Sequence, residues 1–181
     1  ALLTEAFALM AREPADPALA ALKLRAMQIV AEAAGPCGMV GGQAIDLEAA
    51  GSGASFDGDG LRAMHARKTG ALIRASAVSG AIMAGASEHI VTAIDAYAAD
   101  VGLAFQIVDD ILDVEGDPAA LGKSAGKDAA ASKPTYPALF GLDRSRQLAA
   151  DCLERAHASL GHARVGGQLG AIAEWVVTRK S

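Results

Sequence analysis

Asp109, Asp110 and Asp113 set three carboxylates within five positions of an otherwise apolar run from Phe105 to Asp113. On a helix, Asp109 and Asp113 are four residues apart and share a face, while Asp110 is offset by one position and Gln106 lies one turn back. Ionised carboxylates on an apolar helix are costly to bury unless a cation compensates them. An all-oxygen donor set with no Cys or His beside it suits a hard cation, Mg2+ before Zn2+. Shortly beyond comes a Gly- and Lys-containing stretch with Lys123, Lys127 and Lys133, three of the six lysines in the chain. Carboxylates followed by lysines can hold a metal-bridged phosphate, and Gly122 and Gly126 would let the lysine stretch close as a lid.

The elements that must position these groups read as helices. Hydrophobic residues make up 52% of the 181 positions but aromatics only 4%, so small aliphatics, alanine above all, carry the apolar content. That favours closely packed helices over a sheet sandwich. Asp16 followed by Pro17 is a helix start, and that helix should reach Ala34 before Gly35-Pro36. A second helix follows the glycines at 38–42 and ends near Gly51. Asp57 or Asp59 should cap a long helix from about Leu61 to Met83. Ser87 should cap another that carries the three aspartates to about Val114. A short helix at 135–141, a longer one from Asp143 to about Gly161, and a last one from Gly167 or Gln168 to Arg179 complete the set. No alternating strand pattern competes.

The balance of 16 basic against 21 acidic residues, a net charge of -5, argues against a nucleic-acid partner. Charge-free stretches such as Ala75 to Ser87 are 13 residues long, so no membrane span is expected. Cys37 and Cys152 fit no metal spacing and are expected as buried, reduced thiols in the cytoplasm.

Four further segments carry chemistry in a fixed order: Gly41-Gly42-Gln43-Ala44-Ile45-Asp46, then His65-Ala66-Arg67-Lys68-Thr69-Gly70-Ala71-Leu72-Ile73, then Leu121-Gly122-Lys123, then Lys133-Pro134-Thr135-Tyr136-Pro137. Together with Phe105 to Asp113 they resemble the trans-polyprenyl diphosphate synthases, and within these the bacterial farnesyl and geranylgeranyl diphosphate synthases. The resemblance runs from the first residue nearly to the last. It implies an all-α, isoprenoid-synthase-type antiparallel bundle around a central cavity. It implies condensation of an allylic diphosphate with isopentenyl diphosphate through a Mg2+-assisted allylic carbocation, in a cytoplasmic homodimer.

By that resemblance Asp109 touches Mg2+ directly, with Asp110 and Asp113 completing the metal motif. Lys68, Lys123 and Lys133 hold diphosphate. The Thr69 hydroxyl, the Lys68 carbonyl and the Gln106 amide face the developing cation, and Gln43 and Asp46 line the cavity. Read on their own, His65, Arg67 and Arg74 look like solvated surface residues. The family's first aspartate-rich motif has no counterpart here. The chain therefore reads as the later part of a single synthase domain, incomplete at its N-terminal side and inactive alone. Two other classes compete. A non-catalytic subunit of a heteromeric synthase would show eroded motifs, and Lys68, Asp109, Asp113 and Lys123 are intact. A di-metal carboxylate bundle needs Glu-x-x-His pairs on facing helices, and none occurs.

Overall fold

A computed structural model describes residues 2–52, 56–115 and 134–179. Helices account for all regular structure among them. α1 spans Leu2–Arg12. A 3-10 turn, Pro17–Leu19, opens on Asp16, whose carboxylate accepts from the Ala18 amide at 2.9 Å. It leads into α2, Ala20–Ala34, and then α3, Met39–Ser52. α4 covers Gly58–His65 and is capped by Asp57, which accepts from the Gly60 amide at 2.8 Å. α5 is Ala71–Met83 and α6 is Glu88–Glu115. α7 is Tyr136–Phe140, α8 Leu142–His162 and α9 Leu169–Thr178.

These bounds follow the punctuation of the sequence closely, with one departure of consequence. The helix expected to run unbroken from Leu61 to Met83 is divided by a π-helical turn at Ala66–Gly70. Such single wide turns mark functional positions more often than ordinary helix does. Its neighbours show how it is accommodated. A Cβ placed on Gly42 of α3 would stand 2.3 Å from the Lys68 amide nitrogen and 2.6 Å from its Cα. One placed on Gly102 of α6 would stand 3.1 Å from the Cα of Gly70. The π turn is thus wedged between two helices that both present glycine to it.

α6 is the axis of the molecule. Val101, Ala104, Ile107, Val108 and Ile111 are buried in one cluster with Leu61 and Met64 of α4, Cys152, Ala156 and Leu160 of α8, and Val176 of α9. Fully burying each large aliphatic contributes about 1.5–3 kcal/mol relative to exposure. Polar ties fix the neighbours to this axis. Arg74 of α5 donates to Asp95 at 2.8 Å, Arg155 of α8 to Asp100 at 2.8 Å, and the Tyr97 hydroxyl to the Leu169 carbonyl at 2.7 Å.

By length and composition alone α6 could cross a bilayer, but its apolar side chains pack into this core. Cys152 is buried as expected, and burial pushes its thiol upward in pKa. Cys37 is exposed, contrary to expectation, because it lies in the turn between α2 and α3 rather than on a packed helix face.

Candidate active site

Lys68 projects from the π turn, and its Nζ donates to Asp46 Oδ2 of α3 at 2.7 Å. The side chains are 30% and 8% exposed, so the pair lies largely out of bulk solvent. Two motifs that are 22 residues apart in sequence are thereby joined. Asp46 compensates the ammonium while leaving two of its three donor directions for another partner. Asp46→Asn should remove that charge and cost about 2 kcal/mol, the range for a charge-assisted hydrogen bond. Chemical denaturation of the chain would read the loss. Gln43, expected at a cavity, is exposed, whereas Asp46 on the same helix is buried.

The π turn runs along α6. At one end the His65 Nε2 stands 3.6 Å from Asp110 Oδ2, and at the other Gly70 meets Gly102. Lys68 and Thr69 therefore lie beside the stretch of α6 that carries Gln106, which is buried. His65, expected at the surface, is 6% exposed, and its ring stacks on Tyr136 with centroids 5.9 Å apart. Arg67 is exposed as expected.

The three aspartates do not share an environment. Asp109 is the outward one, with its side chain 63% exposed. Asp113 is half-buried on the same face. Asp110 is turned into the core at 7% exposure, and its Oδ2 accepts from the Tyr136 amide at 2.9 Å. The structure does not bring Asp110 together with Asp109 and Asp113, because 3.6 residues per turn rotates it about 100° from its neighbour. Among the described residues no three His, Cys, Asp or Glu side chains converge as a closed metal site. Asp109 and Asp113 fit an open site for a hard cation: the donors are oxygens, four residues apart and reachable from solvent. Mg2+ characteristically takes one or two carboxylates and completes its shell with water and substrate phosphates.

Sequence reasoning missed Arg179. Its guanidinium lies 4.0 Å over the Phe105 ring, donates to the Phe105 carbonyl at 3.2 Å and approaches Asp109 Oδ1 at 3.4 Å. Nothing local to a C-terminal arginine announces a partner 70 positions earlier. Lys123 and Lys133 lie outside the described residues, as does the lid expected between Gly116 and Lys133.

Comparison with known proteins places this arrangement in a class. The chain superposes on a geranylgeranyl pyrophosphate synthetase from Pyrococcus horikoshii with a TM-score of 0.83 at 27% identity, covering 98% of this chain and 64% of that one. It superposes on an FPP/GFPP synthase from Zymomonas mobilis with a TM-score of 0.78 at 35% identity, covering 96% and 57%. Among curated sequences it is 40% identical to the farnesyl diphosphate synthase of Geobacillus stearothermophilus over 179 residues, 98% of this chain and 60% of that protein. It is 48% identical to the farnesyl diphosphate synthase of Escherichia coli over 132 residues, 72% of this chain and 44% of that protein. The chain spans about half the length of these curated relatives. The fold is thus that of all-α isoprenyl synthases. The family profile described as Polyprenyl synthetase matches residues 1–164, and the chain belongs to that family.

Proposed function

We propose that this chain serves prenyl transfer, the condensation of an allylic diphosphate with isopentenyl diphosphate to give a product of farnesyl or geranylgeranyl type. The observation that carries the reading is the ion pair of Asp46 with Lys68, whose π turn lies along the helix of Gln106, Asp109 and Asp113. A partly buried ammonium held by one carboxylate suits an anionic leaving group. Lys68 would bind the diphosphate of the allylic substrate and stabilise its charge as the carbon–oxygen bond breaks.

Asp109 and Asp113 would hold Mg2+, which supplies charge neutralisation at the diphosphate oxygens. Thr69 and the buried Gln106 amide would turn oxygen dipoles toward the allylic cation. The double bond of isopentenyl diphosphate attacks that cation, and a proton is lost to restore the alkene. The low solvent access of Asp46 and Gln106 supports water exclusion, without which the cation would be quenched. Lys123 and Lys133 join the proposal on sequence grounds alone. The assembly proposed is a homodimer, which sedimentation velocity would read.

The test is incorporation of labelled isopentenyl diphosphate into organic-extractable product, with Mg2+ and dimethylallyl or geranyl diphosphate. It should use the chain joined behind the portion of the Geobacillus relative that it does not span. Label should appear and should be lost on chelation. A folded chimera that incorporates none would reject the function.

A further inference from the structure

We propose that Asp110, His65 and Tyr136 form a buried positioning unit, in which Asp110 is the rotational key of α6 rather than a metal ligand. The proposal deepens the function proposed above and rests on it only where metal binding is concerned.

The imidazole of His65 has an unmet requirement. His65 is 6% exposed, and neither of its ring nitrogens has a hydrogen-bond partner, which is rare for a buried imidazole. Its Nε2 points at Asp110 Oδ2 from 3.6 Å, within ion-pair range and just beyond a hydrogen bond. A carboxylate is acceptor-only, so the ring nitrogen facing it is the one that carries the proton. The same Oδ2 accepts the Tyr136 amide at 2.9 Å. Tyr136 is the first residue of α7, and that amide is one of the N–H groups a helix start leaves unpaired.

The remaining donors of that helix start are accounted for. Pro137 has none, the Ala138 amide goes to the Thr135 hydroxyl at 3.3 Å, and the Leu139 amide goes to the Thr135 carbonyl at 3.1 Å. Asp110 therefore supplies the one acceptor that α7 lacks. The Tyr136 ring closes the unit by stacking on His65, and burial raises its phenol to about 12, keeping it neutral. No other charged side chain is within ion-pair distance of Asp110 among the described residues.

The consequence lies in the geometry of α6. Asp110 cannot leave the core without stranding the Tyr136 amide and removing the one carboxylate that faces the imidazole. With Asp110 held inward, the 100° step of the helix forces Asp109 outward, with Asp113 beside it on that face. His65 precedes Lys68 by three residues on the neighbouring segment, so the same contact fixes the π turn against the carboxylate turn. Asp110 would thus set the metal site without touching the metal.

The experiment compares Asp110→Asn, His65→Phe, their double variant and Asp109→Asn in the 181-residue chain. The readouts are Tyr136 amide exchange, thermal unfolding, and Mg2+-dependent binding of inorganic pyrophosphate. Asn keeps the side-chain shape, and Phe keeps the stack on Tyr136. Asp110→Asn should weaken pyrophosphate binding about tenfold, the scale of an outer-shell change. It should also speed Tyr136 amide exchange. Asp109→Asn should weaken binding further and leave the Tyr136 amide protected. His65→Phe and Asp110→Asn should be non-additive, with a coupling of about tenfold in the unfolding constant.

If Asp110→Asn abolishes pyrophosphate binding as fully as Asp109→Asn while Tyr136 stays protected, Asp110 is a ligand and the proposal is overturned. Additive effects of the two core variants would overturn it as well. Failure of the unaltered chain to bind pyrophosphate would count against the proposed function alone. The amide and coupling readouts do not depend on ligand, and they decide the unit in either case.

Discussion

Asp109→Ala should lower prenyl-transfer turnover by on the order of a hundred- to a thousandfold, the scale of losing one preorganised group aimed at transition-state charge. The expectation comes from what this carboxylate faces. Its side chain is 63% exposed on the outer face of α6, and Arg179 is the one basic group the described residues place beside it, at 3.4 Å. Because it is not tied into the core, its removal should leave folding intact. A surface substitution of this kind is usually within about 0.5 kcal/mol of neutral. The loss should therefore appear in turnover with the melting temperature unchanged. The assay is the chimera described above, with saturating Mg2+ and both diphosphates. Near-normal turnover would remove Asp109 from the mechanism, and a collapsed melting temperature would make it structural.

Gly42→Ala should be strongly damaging, because the added methyl has no room against the π turn. Its Cβ would stand 2.3 Å from the Lys68 nitrogen, 2.6 Å from the Lys68 Cα and 2.9 Å from the Arg67 carbonyl carbon. All three are backbone atoms, so no side-chain rotation relieves the clash and α3 must move off the π turn. Overpacking of this kind costs about 1–3 kcal/mol or somewhat more. In a chain of this size that lowers the melting temperature by about 2–12 °C. The displacement also separates Asp46 from Lys68, so binding of pyrophosphate should weaken along with stability. Gly80→Ala is the control, since a Cβ there meets nothing within 4 Å and replaces glycine in an α-helix interior. It should be neutral to stabilising. Equal behaviour of the two alanines would show that the close approach at Gly42 is not what holds the π turn.

The sequence by itself determined the helices, their starts and most of their ends, because those depend on local chemistry. Asp16, Asp57, Ser87 and Thr135 each precede a helix and accept from an amide two or three residues on, as their residue types require. It also marked out the candidates for the chemistry of the site, since carboxylate, lysine and amide types are visible in their motifs. The family resemblance read from those motifs agrees with the profile match and with the solved folds.

Only the tertiary structure decided what each of these groups faces. Asp109 and Asp110 are neighbours in the chain and alike in type, yet one meets solvent and Arg179 while the other meets Tyr136 and His65. His65 and Arg67 look equally solvated in sequence, but only the first falls on the side of its helix that packs against α6 and α7. The π turn was equally hidden. Nothing in Ala66–Gly70 forbids an ordinary helix there, and the glycines that make room for the wider turn lie on other helices, at positions 42 and 102. Each of these outcomes depends on contacts 20 to 70 residues away in sequence, where local propensity carries no information about which surfaces will meet.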